Sequence, residues 1–515
     1  MNVSLLRRAL AVAGFFSIVG LAACGGGGGG GTSSSPAAPV ASAPAGPAGP
    51  TTSPSTPAPG SSPAQPQGNT ILPSTTGRFG LAQLVDNYGP AGAGALSSSV
   101  VQQEAPNYNA VWATFPPDTA LWSQYHTTSP AMILSQYVVP FEDDYMISGC
   151  NLQCWESGST SATNAPNPTW IMFACNSSGQ PTTYNPWSTT GFANDVPLNI
   201  HNPAAVNYEI ENIILPYIQS HPALNAIAID QVTFENFLEA PNPELGEGSA
   251  QPGNYYDCGY YSQWNNGSPV AGSFQYVYGG PGENDFDQPD STFINDLLNW
   301  VQTAKSDLAS YNIKVLVNHP PTGATPSGNE ETLLNSVDGV LDEQGFTDYG
   351  QFGTQNPSLF TNTISWTQAV QGMNKAVFLA DYFCQSSSGC NASSASGLSQ
   401  GQVEYALATY AMANAGGLDL YVAGYGVDEP SYRPEFSDTY GASCGAMTQP
   451  SSNLYMERFQ GGLAVVNASP SSPQTVTLPS NHTYTDIESG ATVPATYTLG
   501  PSQASMLLTT GNGCS

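Results

Sequence analysis

Hydrophobic residues in this chain fall into short continuous runs, with helical patterns or polar loops between them. A strand buried on both faces of a sheet reads as a continuous apolar run, whereas a half-buried strand alternates. The pattern therefore predicts a set of buried parallel strands. The predicted strands are Ala110–Phe115, Ala131–Val139, Thr169–Cys175, Ala226–Asp230, Lys314–His319, Asp338–Gln344, Lys375–Phe383 and Gly417–Gly424.

Helix signals lie in several of the intervals between these runs. Asn202 followed by Pro203 is typical of a helix start, and apolar residues then recur at helical spacing. Ser291 opens a second helical pattern, and a third runs from Gln402 to Ala415 before a glycine pair. Eight strands alternating with helices predict an α/β fold, a (β/α)₈ TIM barrel.

The pattern changes after Tyr425. From Tyr455 to Leu508 the chain has short apolar or alternating runs separated by turn residues. This change predicts a small C-terminal antiparallel β-sandwich domain. We place the barrel at residues 76–445 and the β domain at residues 446–515.

The first 24 residues have the layout of a lipoprotein signal peptide. A basic pair at Arg7 and Arg8 precedes an apolar stretch, and Leu21–Cys24 then reads as a lipobox. We expect cleavage before Cys24 and lipidation of its thiol. A plain signal peptide that happens to contain a cysteine is the alternative. Because Gly rather than Asp occupies position 25, we expect an outer-membrane lipoprotein of a Gram-negative cell, on the periplasmic or the surface face.

Residues 25–75 are Gly, Ser, Pro, Ala and Thr with almost no apolar bulk. Such a segment cannot offset the entropy of ordering, so it is predicted to be a disordered linker. No later segment is long and apolar enough to predict a membrane span, so the lipid is the expected membrane contact.

The formal charge is −30, and the chain has only 8 Lys plus Arg. Nucleic-acid binding needs a basic surface that neutralises phosphates, so we do not expect a nucleic-acid-binding protein. A neutral or cationic substrate fits the charge better than a polyanion. Acidity that serves solubility alone is an equally good explanation.

Nine cysteines are present, and eight remain if Cys24 is lipidated. An even number in an exported chain predicts disulfides. On spacing and position we prefer the pairs Cys384–Cys390 and Cys444–Cys514. A zinc site at Cys150 and Cys154 is the competing interpretation, but a convincing set of His partners is lacking. The disulfide candidates are Cys150, Cys154, Cys175, Cys258, Cys384, Cys390, Cys444 and Cys514.

Two of the predicted strands end in carboxylates. Asp230 ends the fourth run and Glu343 lies at the end of the sixth. Parallel barrels carry their chemistry at the carboxyl ends of the strands, and glycoside cleavage needs two facing carboxyl groups. We therefore predict Asp230 as nucleophile or base and Glu343 as general acid. Asp342 is expected to face the other way because side chains alternate along a strand.

Other residues at the same rim are candidates for contact with a sugar. Amide, imidazole and carboxyl groups can hydrogen-bond hydroxyls, and aromatic rings can stack on the apolar face of a pyranose. Loop capping and ordinary core packing are the alternatives for each of them. The predicted substrate-binding residues are Asn318, His319, Asp381, Tyr382, Trp112 and Tyr425, with Tyr137 as a further aromatic candidate.

Several short motifs resemble a known group. They are Asn202-Pro203 with Asn207-Tyr208, then Asp230-x-Val232, then Asp338-Gly339 with Glu343, and the later Glu457-Arg458-Phe459. They look like the TIM-barrel "hypothetical glycosyl hydrolase family 15" proteins. The layout is also similar to the endo-α-1,4-polygalactosaminidases and the α-galactosidase clan, whose acids sit on strands 4 and 6. Gln231 departs from the pattern, in which Asn is expected, and leaves the substrate open. The resemblance favours a retaining mechanism.

The sequence thus predicts a lipid-anchored, monomeric glycoside hydrolase that needs no metal or organic cofactor. A non-catalytic glycan-binding lipoprotein on the same barrel is the main alternative, with carboxyl groups that point apart. A structural envelope protein is a second. A deacetylase or esterase would need a metal triad or a nucleophilic serine, and neither motif is found.

Overall fold

The computed structural model describes residues 71–85, 101–102, 105–114, 119–158, 166–175, 181, 196–234, 256–278, 291–348, 357–383, 398–423 and 432–515. Within them an eight-stranded parallel sheet forms the centre of the molecule. In spatial order, which is also chain order, its strands are β1 Ala82–Val85, β2 Ala110–Thr114, β3 Ile133–Val138, β4 Ala226–Ile229, β5 Lys314–Asn318, β6 Gly339–Asp342, β7 Ala376–Tyr382 and β8 Leu418–Ala423.

The sheet closes on itself to form a barrel. Leu81, just before β1, pairs in parallel with Leu420 of β8, and the Leu420 amide donates to the Gly80 carbonyl over 2.9 Å. Every pair of neighbouring strands from β1 to β8 is parallel. Closure removes the exposed edges of the sheet, and the predicted (β/α)₈ fold is confirmed.

Helices cover the outside of the barrel. Their apolar faces pack on the strands, as in the 19-residue helix that starts at Ser291. The helices are α1 Thr119–Thr128, α2 Tyr145–Ser148, α3 Leu152–Ser157, α4 Pro203–Tyr208, α5 Leu215–Ser220, α6 Ser291–Ala309, α7 Gly328–Asn335, α8 Pro357–Gly372 and α9 Gln400–Ala413, with a π-helix at Glu209–Ile214 between α4 and α5. Short 3₁₀ turns occupy Ala105–Asn107, Pro168–Trp170 and Pro434–Ser437.

The predicted helix starts agree with the caps. The Asn202 side chain accepts from the Ala204 amide, and Pro203 occupies the first turn. Helix α9 begins with a capping box formed by Ser399 and Gln402. The local sequence therefore sets both helix starts.

One predicted strand does not belong to the barrel. Phe173–Cys175 pairs antiparallel with Tyr256–Tyr261, which pairs in turn with Phe274–Tyr276. The prediction that residues 169–175 form the third barrel strand is wrong, because segments after β3 and after β4 pair with each other instead. Two further antiparallel strand pairs are present, Glu142–Asp143 with Val196–Pro197 and the hairpin of Trp264–Asn265 with Ser268–Pro269.

The strand that the prediction lacked is β1. Leu72 and Thr75, placed in the linker by the sequence analysis, are also buried. Thr75 exchanges hydrogen bonds with Asn414 beyond α9. The folded region therefore begins before residue 76.

The C-terminal residues form the antiparallel β domain. Its five-stranded sheet and its additional two-stranded ribbon enclose a separate apolar core that includes Leu463, Val476 and Leu507. The other face of the sheet packs on α8 and α9, with the rings of Phe360 and Tyr455 4.7 Å apart. The strands are β9 Thr448–Ser451, β10 Leu454–Phe459, β11 Gly462–Asn467, β12 Gln474–Thr477, β13 Tyr484–Asp486, β14 Thr496–Leu499 and β15 Gln503–Thr509.

Candidate active site

Two carboxylates stand at equivalent positions of alternate strands. Asp230 is the first residue after β4 and Glu343 is the first residue after β6. Asn318, the last residue of β5, lies between them. All three side chains are more than nine-tenths buried at the carboxyl rim of the barrel.

A single amide nitrogen joins the two carboxylates. Asn318 Nδ2 donates to Asp230 Oδ1 over 2.9 Å and to Glu343 Oε2 over 2.7 Å. Because both distances share one atom, these two oxygens are at most about 5.6 Å apart. Facing carboxyl groups lie about 5–5.5 Å apart in retaining glycosidases and about 6.5–9.5 Å apart in inverting ones.

Two phenols also donate hydrogen bonds to the pair. The Tyr137 hydroxyl of β3 donates to Asp230 Oδ2 over 2.7 Å, and the Tyr382 hydroxyl of β7 donates to Glu343 Oε1 over 3.0 Å. The Tyr421 ring of β8 packs edge-on against Tyr382, with ring centroids 5.9 Å apart. Five neighbouring strands, β3 to β7, therefore each contribute a side chain to one connected network, and β8 supports it.

The register of the barrel explains why these side chains meet. Residues paired across parallel strands share a face, and alternate residues along a strand share it too. Tyr137 pairs with Ala228, and Ala228 pairs with Leu316. Asp230 and Asn318 each follow by two positions, so they face the same lumen as Tyr137.

Burial and hydrogen bonding act on Asp230 in opposite directions. Burial raises the pKa of its carboxyl group, while the donors Tyr137 and Asn318 and the backbone amide of Gln231 lower it. Burial is the larger effect, so the pKa lies above its usual range. The three donors favour the ionised form that a nucleophile or base requires.

The acids next to the pair face the other side of the sheet. Asp342 Oδ1 accepts from the Gly345 amide over 3.1 Å, and Asp381 Oδ1 accepts from the Phe346 amide over 2.7 Å. Asp342 behaves as alternation predicts. Asp381 was expected to bind substrate, but the structure places it behind the turn that follows β6, because it precedes the lumen-facing Tyr382 by one residue.

His319 likewise turns away from the lumen. Its Nδ1 hydrogen-bonds the Val232 carbonyl over 2.6 Å, and its Nε2 lies 3.8 Å from Glu330 Oε1. The ring is buried and packs at a tilt against Phe234, with centroids 4.9 Å apart. Burial lowers its pKa, so the ring is neutral near pH 7. The structure therefore gives His319 contacts that position the segment after β4 rather than contacts with the pair.

Trp112 and Tyr425 are the remaining aromatic residues that were predicted to bind substrate. Trp112 faces the lumen, because it alternates with Val111, and Val111 pairs with Gln83, which faces the outer helix α1 and accepts from its Tyr125. Its ring is buried, and its Nε1 has no hydrogen-bond partner within the described part of the chain. Tyr425 lies outside the described residues, as does Cys24.

Gln231 carries a feature that sequence reasoning missed. Its φ of +58° lies in the left-handed region, which favours Asn or Gly over Gln. The conformation turns the chain directly after Asp230 and brings the Gln231 amide to Asp230 Oδ1 at 2.8 Å. The family resemblance predicts Asn at this position. Because Asn adopts a positive φ more readily than Gln, that expectation was the available sign of this backbone geometry.

The cysteines follow the disulfide prediction where the structure describes them. Cys444 and Cys514 are bonded as predicted. Cys150 and Cys154 also form a disulfide, which corrects the zinc alternative for that pair. Cys258 is disulfide-bonded as well. Cys384 and Cys390, and the side chain of Cys175, lie outside the described part.

Among the described residues, no group of three or more His, Cys, Asp or Glu side chains is arranged to hold a metal ion. None of the helices described is long and apolar enough to cross a bilayer.

Fold and site together define a class: a (β/α)₈ barrel with hydrogen-bonded carboxylates after strands 4 and 6. No protein-family model matches the chain. No curated protein matches it either. The class therefore rests on the strand order and on the geometry described above.

Several solved structures are similar in fold. An α-amylase from Malbranchea cinnamomea is 12% identical, with a TM-score of 0.43 over 84% of this chain and 96% of its own. Isomaltulose synthase from Klebsiella sp. LX3 is 10% identical, with a TM-score of 0.45 over 84% and 98%. Ega3 from Aspergillus fumigatus, in complex with galactosamine, is 8% identical, with a TM-score of 0.35 over 73% and 99%. Likeness at this level does not transfer an activity to this chain.

Proposed function

We propose that this protein is a glycoside hydrolase that cleaves a neutral or cationic glycan with Asp230 and Glu343. The observation that carries the proposal is the shared contact of both carboxylates with Asn318 Nδ2, at 2.9 Å and 2.7 Å. A separation of at most about 5.6 Å between the bridged oxygens supports a retaining mechanism.

In this mechanism Asp230 attacks the anomeric carbon and forms a covalent glycosyl ester. Glu343 gives its proton to the glycosidic oxygen as that bond breaks. Glu343 then takes a proton from water, which attacks the anomeric carbon and releases Asp230 as a carboxylate. Tyr137 and Asn318 stabilise the ionised Asp230 before attack and after release, because both donate hydrogen bonds to it.

The proposed substrate class follows from charge. The chain carries −30, and the side chains that hydrogen-bond the pair in the described part of the chain include two phenols and an amide. A uronic acid or a sulfated sugar would meet two carboxylates without a compensating base among these contacts. Neutral and amino sugars avoid that repulsion.

A non-catalytic glycan-binding barrel is the other reading of the sequence. It predicts acids that point apart, more than about 12 Å from each other, since no chemistry would hold them together. The shared contact with Asn318 favours the hydrolase.

The cellular setting of the proposal rests on the sequence alone. We propose export by the signal peptide at residues 1–24, lipidation at Cys24 and anchoring at the outer membrane of a Gram-negative cell, with the protein acting as a monomer. Labelling with radioactive palmitate in wild type and in Cys24→Ser tests the anchor.

The decisive experiment is digestion of a glycan library by wild type, Asp230→Asn and Glu343→Gln. We expect cleavage to fall by about 10³-fold or more in both variants, because each loses an acid, base or nucleophile. The configuration of the first product, followed by proton NMR, should match that of the substrate.

Asp342→Asn is the matched control, since Asp342 is as buried as Glu343 and precedes it by one residue but faces outward. It should keep most of the activity. Full activity in Asp230→Asn or Glu343→Gln, with unchanged circular dichroism, would remove that residue from the mechanism.

A further inference from the structure

A concave site lies on the flank of the barrel, away from the carboxylate pair. It is formed by the segment after β3, by α3 and by the helical segment 203–220, and has a volume of about 320 Å³. Neither Asp230 nor Glu343 lines it, and the volume suits a small ligand. The residues that carry the argument are Asp143, Trp155, Tyr208, Asn212, Ile213 and Tyr217.

One wall of this flank pocket is a rigid aromatic cluster. The Trp155 and Tyr208 rings meet edge-on with centroids 5.7 Å apart, and Trp170 packs 5.4 Å from Tyr208. Trp155 is fully buried, whereas Tyr208 and Tyr217 are only partly buried. The two Trp rings hold Tyr208, and the His221 ring packs 4.3 Å from Tyr217. The exposed parts of both tyrosines present apolar surface with polar edges, which suits a pyranose ring.

The floor of the flank pocket is a fixed carboxylate. Asp143 is 1% exposed, and its Oδ2 accepts from Trp155 Nε1 over 2.6 Å. Burial, and then the charge of Asp143, raise the pKa of Tyr208, so its hydroxyl stays protonated and able to donate. Among the described residues that line the pocket there is no Lys or Arg. This lining accommodates hydroxyl or ammonium groups and disfavours a ligand carboxylate.

The third wall comes from the π-helix Glu209–Ile214. Such segments are rare and often occur at functional sites. Here Glu209 faces inward and accepts from Trp300 Nε1 over 2.8 Å, while Asn212 and Ile213 line the pocket. On the opposite side the Cys150–Cys154 disulfide fixes the segment that enters α3. The pocket is therefore preformed rather than a gap between mobile segments.

We propose that the flank pocket is a secondary glycan-binding site that holds one neutral or amino-sugar pyranose unit of a polymer. It goes beyond the proposed hydrolysis, because it would retain a polysaccharide on the protein surface whether or not the bound unit is cleaved.

The test is isothermal titration of the full chain carrying Glu343→Gln with hexasaccharides of glucose, of glucosamine and of galacturonate. We expect the glucose or glucosamine oligomer to bind, and Tyr217→Ala and Asn212→Ala each to weaken that binding about tenfold. Galacturonate should bind more weakly than either. Tyr311→Ala is the matched control, since Tyr311 is 51% exposed and does not line the pocket.

Unchanged affinity in both pocket variants, or equal binding of galacturonate, would overturn the proposal. The readout is binding, so it remains informative if Asp230 and Glu343 turn out not to be catalytic. In the wild-type background, Tyr217→Ala should leave cleavage of a short aryl glycoside unchanged, because such a substrate is too short to span both sites.

Discussion

Two pairs of acids at the same rim of the barrel lie on opposite faces of the sheet. Asp230 and Glu343 face the lumen and receive side-chain donors, two phenols and an amide. Asp342 and Asp381 face outward and receive backbone amides of the turn after β6. A step of one residue along β6 therefore separates a carboxylate available for chemistry from one that holds a turn.

The outward-facing acids, Asp342 and Asp381, also have strongly raised pKa values. Burial raises the pKa of Asp342 to about 7 and that of Asp381 to about 8, and the charge of Asp342 adds to the shift of Asp381. Asp381 is therefore largely protonated near neutral pH. Asp230 has donors on both of its oxygens. The comparison shows that burial alone does not mark a catalytic acid, and that the type of donor is more informative.

The largest effect is expected from Gly345→Ala, which changes the turn after β6 that Asp342 and Asp381 hold. Gly345 has a φ of +53°, and an added Cβ would lie 2.2 Å from the Ala380 carbonyl oxygen and 2.6 Å from Asp381 Oδ1. We expect a loss of about 3 kcal/mol or more in the free energy of unfolding, from backbone strain and overpacking. Urea denaturation measures it. Gly323→Ala is the control, since its Cβ would meet nothing within 4 Å. Equal stability of the two variants would show that the turn can accept a side chain at position 345 without disturbing its contact with Asp381.

A smaller effect is expected from Tyr137→Phe. Losing the hydroxyl that donates to Asp230 removes an interaction that lowers the pKa of this carboxyl, so that pKa should rise. We expect kcat to fall about tenfold and the acidic limb of the pH–rate profile to move to higher pH. Tyr125→Phe is the control, because its buried hydroxyl donates to Gln83 outside the lumen. A limb that does not move would separate Tyr137 from the titration of Asp230.

The smallest effect should be the pH dependence of stability in Asp381→Asn. The folded-state pKa of about 8 lies above the ordinary value of 3.8, so the folded state binds this proton more tightly than the unfolded state. The resulting stability is present below about pH 4 and is lost as the pH rises to about 8. Between pH 7 and pH 9, the free energy of unfolding of the variant, measured by thermal unfolding, should fall by about 1 kcal/mol less than that of wild type. Glu331→Gln, at an exposed position, should follow wild type.

Much of the barrel could be predicted because its central strands are continuous apolar runs. Seven of the eight predicted strands belong to the barrel, but β1 is a four-residue segment interrupted by Gln83 and gives almost no signal. Residues 169–175 resemble a barrel strand, yet a partner some 80 residues later decides where Phe173–Cys175 pairs. The missed strand β1 and the wrongly included residues 169–175 cancel in the strand count. Asp230 therefore still follows the fourth strand and Glu343 the sixth, as predicted.

Two rules predict the site from the sequence: functional side chains lie at the carboxyl ends of strands, and alternate residues of a strand share a face. These rules select Asp230, Asn318 and Glu343, and they separate Glu343 from Asp342. They do not show that the Tyr137 hydroxyl rather than its ring face meets the pair, because this depends on the stagger between β3 and β4. The same alternation, applied to β7, would have separated Asp381 from Tyr382.

The contact between Leu81 and Leu420 has a consequence for how the molecule is made. The first strand finds its second neighbour only when the last strand has been synthesised, so a growing chain carries an open sheet with two unsatisfied edges. Such distant pairing slows folding and prolongs exposure to aggregation. A holding chaperone that shields the nascent sheet until residue 420 emerges should therefore increase the yield of folded protein.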